Sequence, residues 1–342
     1  MNEPKEFIMS KIERIVLYPL LGLLFVLAMI FDLQITQGLF MPDNWFGMAC
    51  ECFAECPLYL LSATVACIVA LYHPRPKKKG WHYFIVGFFF FGAAGASLYG
   101  GYHTNSLIMR VFHLSYGTLP KLAIILGIGI VNFAVGFCIA KFLIKPDQEK
   151  EAFLLSVFVL TMVAGSLLLM QALKMIWLRP RYRTLMALQE AGALADPLSY
   201  WKAVWQPQFF TSFKKYDVGG EYGFTQDQIN AAMNTLGVTK WAKEEFYSFP
   251  SGHTMNSFLL ITLCFAPRLF PKTKDNARLA LGIRICAYVL VAVIAFTRIL
   301  RGAHNATDVI GGYILALVLF DLLSHFFYER FLRQRILPKL SA

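Results

Sequence analysis

Three short polar runs interrupt an otherwise apolar chain, and each carries residue types suited to handling an anion. In the first, Lys174 and Arg181 stand seven residues apart. On a helix continuing to Pro180, that spacing brings both cations to nearly one face. In the second, Phe249-Pro250-Ser251-Gly252-His253 directly precedes an apolar run. A turn there, at a helix start, offers outward N–H groups and the Ser251 hydroxyl to negative charge, while His253 can hold a proton near neutral pH for a leaving oxygen. In the third, Thr297 to Asp308, Arg298 adds a cation, and His304 and Asp308 are i and i+4. From that spacing Asp308 can accept a bond from one ring nitrogen, fix the tautomer and leave the other nitrogen as nucleophile. Taken singly, each run also has a plain structural reading: snorkelling at a helix end, a helix cap, or an acid beside a helix dipole.

The elements that must position these residues are set by composition. Of 342 residues, 57% are hydrophobic, 15% aromatic and only 15% charged. A soluble domain carries about a quarter charged residues, so the balance excludes a cytosolic enzyme, a disordered tail and a fibrous protein. The fold class expected is all-α, a polytopic membrane bundle. Apolar runs at 15–31, 57–72, 83–100, 122–144, 152–173, 254–270, 280–297 and 309–327 give about eight spans, or six or seven if short runs such as 57–72 and 254–270 do not cross. Lys11 and Arg14 precede an apolar run without a small-residue cleavage pattern, so the first helix is expected to remain as an anchor.

The net charge of +11 sorts by position. Lys and Arg crowd alternate loops (Lys5, Lys11 and Arg14; Arg75 to Lys79; Lys141 to Lys150; Arg268 to Arg284; Arg330 to Lys339), whereas loop 32–56 on the other side has none. Basic short loops stay cytoplasmic, so both termini are expected in the cytoplasm, all three polar runs on the extracytoplasmic side, and no nucleic-acid partner. That outer side also carries a long helical or irregular insert, 182–249, rich in Tyr, Trp and Phe. It reads equally as a packed cap or as a lid over a lipid entrance, with Trp201 to Phe213 along the headgroups and a capped helix at 226–236 started by Thr225 and Gln228. Residues 1–151 form transmembrane helices without a signature, and 152–342, including the insert, form the core unit.

Lys-x6-Arg, then Pro-Ser-Gly-His, then Arg-x5-His-x3-Asp resembles the three-part signature of the type-2 phosphatidic acid phosphatase superfamily, over about 152–327. The resemblance implies a helical bundle and a metal-independent phosphatase working through a phosphohistidine. His304 is then the nucleophile, Asp308 its orienting partner and His253 the general acid. Lys174, Arg181, Arg298, Ser251 and the Gly252 amide bind the phosphoryl oxygens. Arg179 and Arg301 are extra cations that meet either a second phosphate or lipid headgroups. Tyr182, Thr297 and Asn305-Ala306 replace commoner family residues without removing a catalytic group. No cofactor or metal is expected: Cys50, Cys52 and Cys56 lack an adjacent fourth ligand for zinc. Disulfide pairing among them and oligomeric state stay open.

The function expected is hydrolysis of a lipid phosphate or diphosphate at the outer face of a cell membrane. Polyprenyl diphosphate, phosphatidate and phosphatidylglycerol phosphate are the candidate substrates, and the bilayer is the partner. A lipid phosphotransferase would use the same site with an acceptor hydroxyl in place of water. A membrane transporter is the alternative of another class; against it, the charges sit at span ends rather than mid-helix.

Overall fold

The computed structural model describes residues 8–177, 179–193, 225–236, 245, 247–269 and 275–338, and these are helical throughout their regular elements. Much of the aromatic insert, including 201–213, lies outside the described residues, as do Lys5, Lys272, Lys274 and Lys339. The elements are α1 (Lys11–Leu39), α2 (Trp45–Phe53), α3 (Cys56–Tyr72), α4 (Lys79–Val111), α5 (Thr118–Cys138), α6 (Glu149–Trp177), α7 (Tyr182–Glu190), α8 (Gln226–Thr235), α9 (Gly252–Phe258), α10 (Asp275–Leu300) and α11 (Ala306–Leu322). The expected helix at 226–236 is present. Its cap is reciprocal, with Thr225 Oγ1 accepting from Gln228 N–H and Gln228 returning a bond to Thr225 N–H.

Among the described residues, seven helical segments are long and apolar enough to cross a bilayer: α1, α2 with α3, α4, α5, α6, α10 and α11. The remaining expected span, 254–270, is α9 followed by a 3-10 stretch, Leu259–Leu269. It too runs from one end of the bundle to the other. At its start Ser251 N–H bonds the Asp308 carbonyl at the head of α11 (3.0 Å). At its close Arg268 pairs with Glu329 beyond the end of α11 and approaches Glu151 in the first turn of α6. A 3-10 helix rises about 2.0 Å per residue against about 1.5 Å for an α-helix, so the stretch lets 18 residues cover roughly 32 Å, the thickness of a hydrocarbon core.

The core lies between α6, α9, α10 and α11. Phe158, Phe258, Phe265, Phe320 and Tyr328 are fully buried there and meet edge to face or at a tilt. Outer faces carry exposed large apolar side chains, among them Phe84, Phe88 and Phe91 on α4 and Ile130 and Val131 on α5. Such a surface is suited to lipid tails. Ion pairs clip the end at which α1 begins: Arg14 to Asp321 (2.7 Å), Glu13 to Arg284 (2.9 Å) and Glu151 to Arg333 (3.0 Å).

Two glycines of α4 allow close packing against its neighbours. A Cβ on Gly101 would stand 2.3 Å from the Ile125 carbonyl oxygen of α5, and one on Gly100 would stand 2.7 Å from the Tyr59 ring, whereas Gly92 and Gly95 face open space. Gly101→Val is therefore expected to cost about 1–3 kcal/mol by overpacking. Thermal unfolding in detergent should show a lowered Tm for that variant, with Gly92→Val close to the parent; equal Tm values for both would contradict the packing.

Candidate active site

Lys174 lies in the last turn of α6, but the helix stops at Trp177. Arg181 thus reaches the site from extended chain (φ −75°, ψ 150°), not by the helical spacing expected. Its backbone N–H donates to the Glu245 carbonyl and Nη1 to Glu245 Oε1, both at 2.9 Å. Ser251 is the N-cap of α9: its hydroxyl accepts from Thr254 N–H (3.4 Å) and Thr254 Oγ1 (3.0 Å), which leaves its own O–H as a donor. The absent Cβ at Gly252 matters, because one would sit 3.4 Å from Lys174 Nζ and 2.9 Å from Met170 Sδ.

His304 sits in the turn between α10 and α11. Gly302 makes that turn with φ +58°, and a Cβ there would strike the Phe40 ring at 2.6 Å. The N–H groups of Ala303 and His304 then return to the Arg298 carbonyl. The imidazole is oriented differently from expectation. Its Nδ1 donates to the Ser248 carbonyl (2.7 Å), while Asp308 Oδ2 is 3.9 Å away and not hydrogen-bonded to it. Asp308 acts one group removed, accepting from the Ser248 hydroxyl, the Asn305 N–H (2.7 Å) and Arg179 Nη1 (2.6 Å). A carbonyl can only accept, so Nδ1 carries the proton and Nε2 holds the lone pair.

The structure turns Arg179 inward, to protein carboxylates. It is fully buried and spans Asp308, Thr307 (2.6 Å) and Asp32 of α1 (2.5 Å). Arg301 likewise turns to a protein carboxylate, Glu51 Oε2 (3.0 Å). Glu51, on α2, is the residue around which the cations gather: Arg110 (3.1 Å), Arg183 (3.2 Å) and Arg298 (3.4 Å) join Arg301 on a carboxylate with no exposure. Glu245 is the second such acid, held by Arg181 and by two bonds from Arg183. Burial pushes the Glu245 carboxyl up, but the guanidinium groups of Arg181 and Arg183 overcome this and hold it well below the usual carboxylate range.

Two carboxylates therefore face five arginines, and the excess is visible in unmet donors. Among the described residues, Arg298 Nε and Nη1 and Arg181 Nε are buried without a hydrogen-bond partner, a costly state unless an acceptor enters. The same field acts on His304. Burial first, then the charges of Arg298, Arg181 and Lys174, hold its imidazole well below the ordinary value, and so neutral at pH 7.

His253, in the first turn of α9, faces α2 and α3. Its Nε2 lies 3.2 Å from the Glu51 carbonyl oxygen and its Nδ1 3.5 Å from Glu55 Oε1. Its field is also felt at His304. Hence Lys174, Arg181, His253, Arg298 and His304 do meet at one end of the bundle, with Ser251 and Gly252 beside them. The sequence names no role for Arg110, Arg183, Asp32 or Glu245, and Glu51 and Glu55 read there only as acids ahead of a helix start, with nothing to support a proton relay. The one legible signal was the presence of Asp32, Glu51 and Glu55 at the ends of apolar runs. Cys50, Cys52 and Cys56 are free thiols.

No solved structure matches the chain. Phosphatidylglycerophosphatase B of Bacillus subtilis (strain 168) is 33% identical over 85 residues, which is 24% of this chain and 40% of that protein's length. The match thus spans well under half of that relative. The PAP2 superfamily model matches residues 155–332, more than half of the chain, and takes in all three polar runs. This polytopic helical protein therefore belongs to the PAP2 superfamily.

Proposed function

We propose that the protein is an integral-membrane phosphatase that hydrolyses lipid phosphate or diphosphate monoesters through a phosphohistidine at His304. The observation that carries this reading is an imidazole with its Nδ1 locked on the Ser248 carbonyl, beside buried guanidinium donors that lack an acceptor among the described residues. A phosphoryl group supplies what both need: an electrophilic phosphorus for Nε2 and anionic oxygens for Arg181, Arg298 and Lys174. In-line positioning and charge stabilisation are the main demands of phosphoryl transfer, and fixed cations can meet them without a metal.

The steps follow from the groups present. The Nε2 lone pair attacks phosphorus, the ester P–O bond breaks, and His253 protonates the departing oxygen. The imidazolium formed at His304 is stabilised through Nδ1–H by the Ser248 carbonyl and by the nearby Asp308 carboxylate. Arg179, Thr307 and Asp32 hold that carboxylate in place. Water then attacks phosphorus, the N–P bond breaks, and phosphate leaves. The mutual orientation of these groups favours hydrolysis or transfer over transport, because the buried charges are tied to one another at one end instead of lining a path across the bundle.

Among lipid phosphates, phosphatidylglycerol phosphate gains support from the name of the relative, with phosphatidate and polyprenyl diphosphate as the other substrates of the same chemistry. Basic loops at the end opposite the site support cytoplasmic termini and a site at the outer face of the cell membrane. Arg179 is proposed to organise Asp308 and Arg301 to organise Glu51, neither meeting a second phosphate.

Three outcomes test this reading. His304→Ala, purified in detergent, should insert and unfold like the parent but release phosphate from lipid phosphates more slowly by on the order of a thousandfold or more; retained release would contradict it. With labelled substrate, free phosphate should appear and not a second labelled lipid, with chelator present throughout, and acid-labile, alkali-stable label on the protein should vanish in His304→Ala. Finally, because burial and neighbouring cations favour the uncharged ring, nitrogen NMR of labelled protein should show His304 still neutral at pH 6.5 without substrate. A ring that is half protonated at that pH would mean the cations do not converge on it.

A further inference from the structure

Glu55 lies at the junction of α2 and α3, outside the stretch that matches the family, yet it is buried against the candidate proton donor. Oε1 accepts from Asn256 Nδ2 (3.0 Å) and stands 3.5 Å from His253 Nδ1; Oε2 accepts from Tyr59 O–H (2.9 Å) and stands 3.5 Å from His103 Nδ1. Asn256 is three residues after His253 on α9, so one helical face presents both groups to the same carboxylate. Tyr59 is one turn along α3 from Glu55 itself. Both carboxylate oxygens are thereby fixed, and the acid cannot swing away from the imidazole.

The two nitrogens of His253 face groups that only accept. Nε2 meets the Glu51 carbonyl oxygen (3.2 Å), and Nδ1 meets the Glu55 carboxylate. The neutral ring can donate to one of the two, and the doubly protonated ring to both. Burial first, and then Arg298, oppose a positive charge there, and Glu55 is the carboxylate that favours it most. Glu51 is shared among four arginines, so Glu55 is the acid committed to the imidazole.

We propose that Glu55 is a positioning residue for His253, holding Nδ1–H so that Nε2, protonated from solvent as the anion binds, exchanges the Glu51 carbonyl for the leaving oxygen. The inference rests on the phosphohistidine reading above. As the P–O bond breaks, the Nε2 proton passes to the departing alkoxide and His253 becomes neutral with Nδ1–H still on Glu55. The water that attacks the phosphohistidine passes one proton to a phosphoryl oxygen as the N–P bond breaks, and His253 regains its Nε2 proton from solvent.

The test separates proton donation from phosphate binding by the leaving group. An alkyl phosphate needs a proton on its leaving oxygen, whereas p-nitrophenolate departs without one. In full-length Glu55→Gln, kcat for a lipid alkyl phosphate should fall about a hundredfold or more, and kcat for p-nitrophenyl phosphate less than about threefold. His253→Ala should show the same selectivity, the double variant should be no worse than His253→Ala, and Glu55→Asp should recover at least tenfold over Glu55→Gln. Equal loss on both substrates, or no loss, overturns the proposal. If Glu55→Gln does not fold, Tyr59→Phe, which frees Oε2, must show a smaller loss of the same selectivity, and uniform rates there overturn it too. His304→Ala keeps the two readings apart: activity surviving in that variant sinks the phosphohistidine itself, whereas a uniform Glu55→Gln loss with inactive His304→Ala sinks only the role of Glu55.

Discussion

Five guanidinium groups are packed at one end of a low-dielectric bundle, and two carboxylates hold them there. Glu51 and Glu245 each contact several arginines, and the set Arg110, Arg181, Arg183, Arg298 and Arg301 still exceeds them in charge. Like charges at such distances repel strongly away from water, so the cluster is stable only because the acids lie between the cations. What remains is a fixed positive potential with Lys174 at its edge, organised before any anion arrives. Preorganised charge of this kind costs no rearrangement during reaction. The neutrality of His304 is a consequence of the same field.

The bundle is arranged to serve that cluster. α6, α9, α10 and the turns beside them carry the candidate reacting and binding groups, but the acids that space them come from elsewhere: Glu51 from α2 and Glu245 from the segment preceding α9. Asp32 of α1 plays a parallel part for Arg179, which in turn holds Asp308. The N-terminal helices, which carry no motif, are thus tied into the site by buried ion pairs. Removing one partner of such a pair leaves an uncompensated charge and costs about 3–5 kcal/mol, more than most single contacts. The active end and the fold's stability are therefore not separable there.

What could be read from the chain was local. The apolar runs gave the helices, and short spacings brought His304 near Asp308 and placed Ser251 as a cap. Spacing also misled. Lys174 and Arg181 do share the site, but α6 ends at Trp177 and Arg181 arrives in extended chain. Asp308 is near His304, but the Ser248 carbonyl takes the proton-bearing nitrogen, a contact 56 residues away in sequence. Glu51 and Glu55 precede an apolar run, where an acid ordinarily serves the helix dipole, and nothing near them in sequence names their partners. Those partners lie 59 to 250 residues away for Glu51 and about 200 for His253 with Glu55. Arg179 looked as available as Arg181, and only the fold shows that it is spent on Asp32 and Asp308.

The central claim is that these groups enclose a space fitting one phosphoryl unit, with His304 Nε2 in line with the phosphorus. A structure of the protein with vanadate tests it most directly, since five-coordinate vanadium imitates phosphorus in transit. The account predicts vanadium within bonding distance of His304 Nε2, its equatorial oxygens on Lys174, Arg181 and Arg298, and an apical oxygen beside His253. Vanadate bound away from His304, or a site in which Arg181 and Arg298 keep their present contacts and touch no oxygen of the anion, would contradict it.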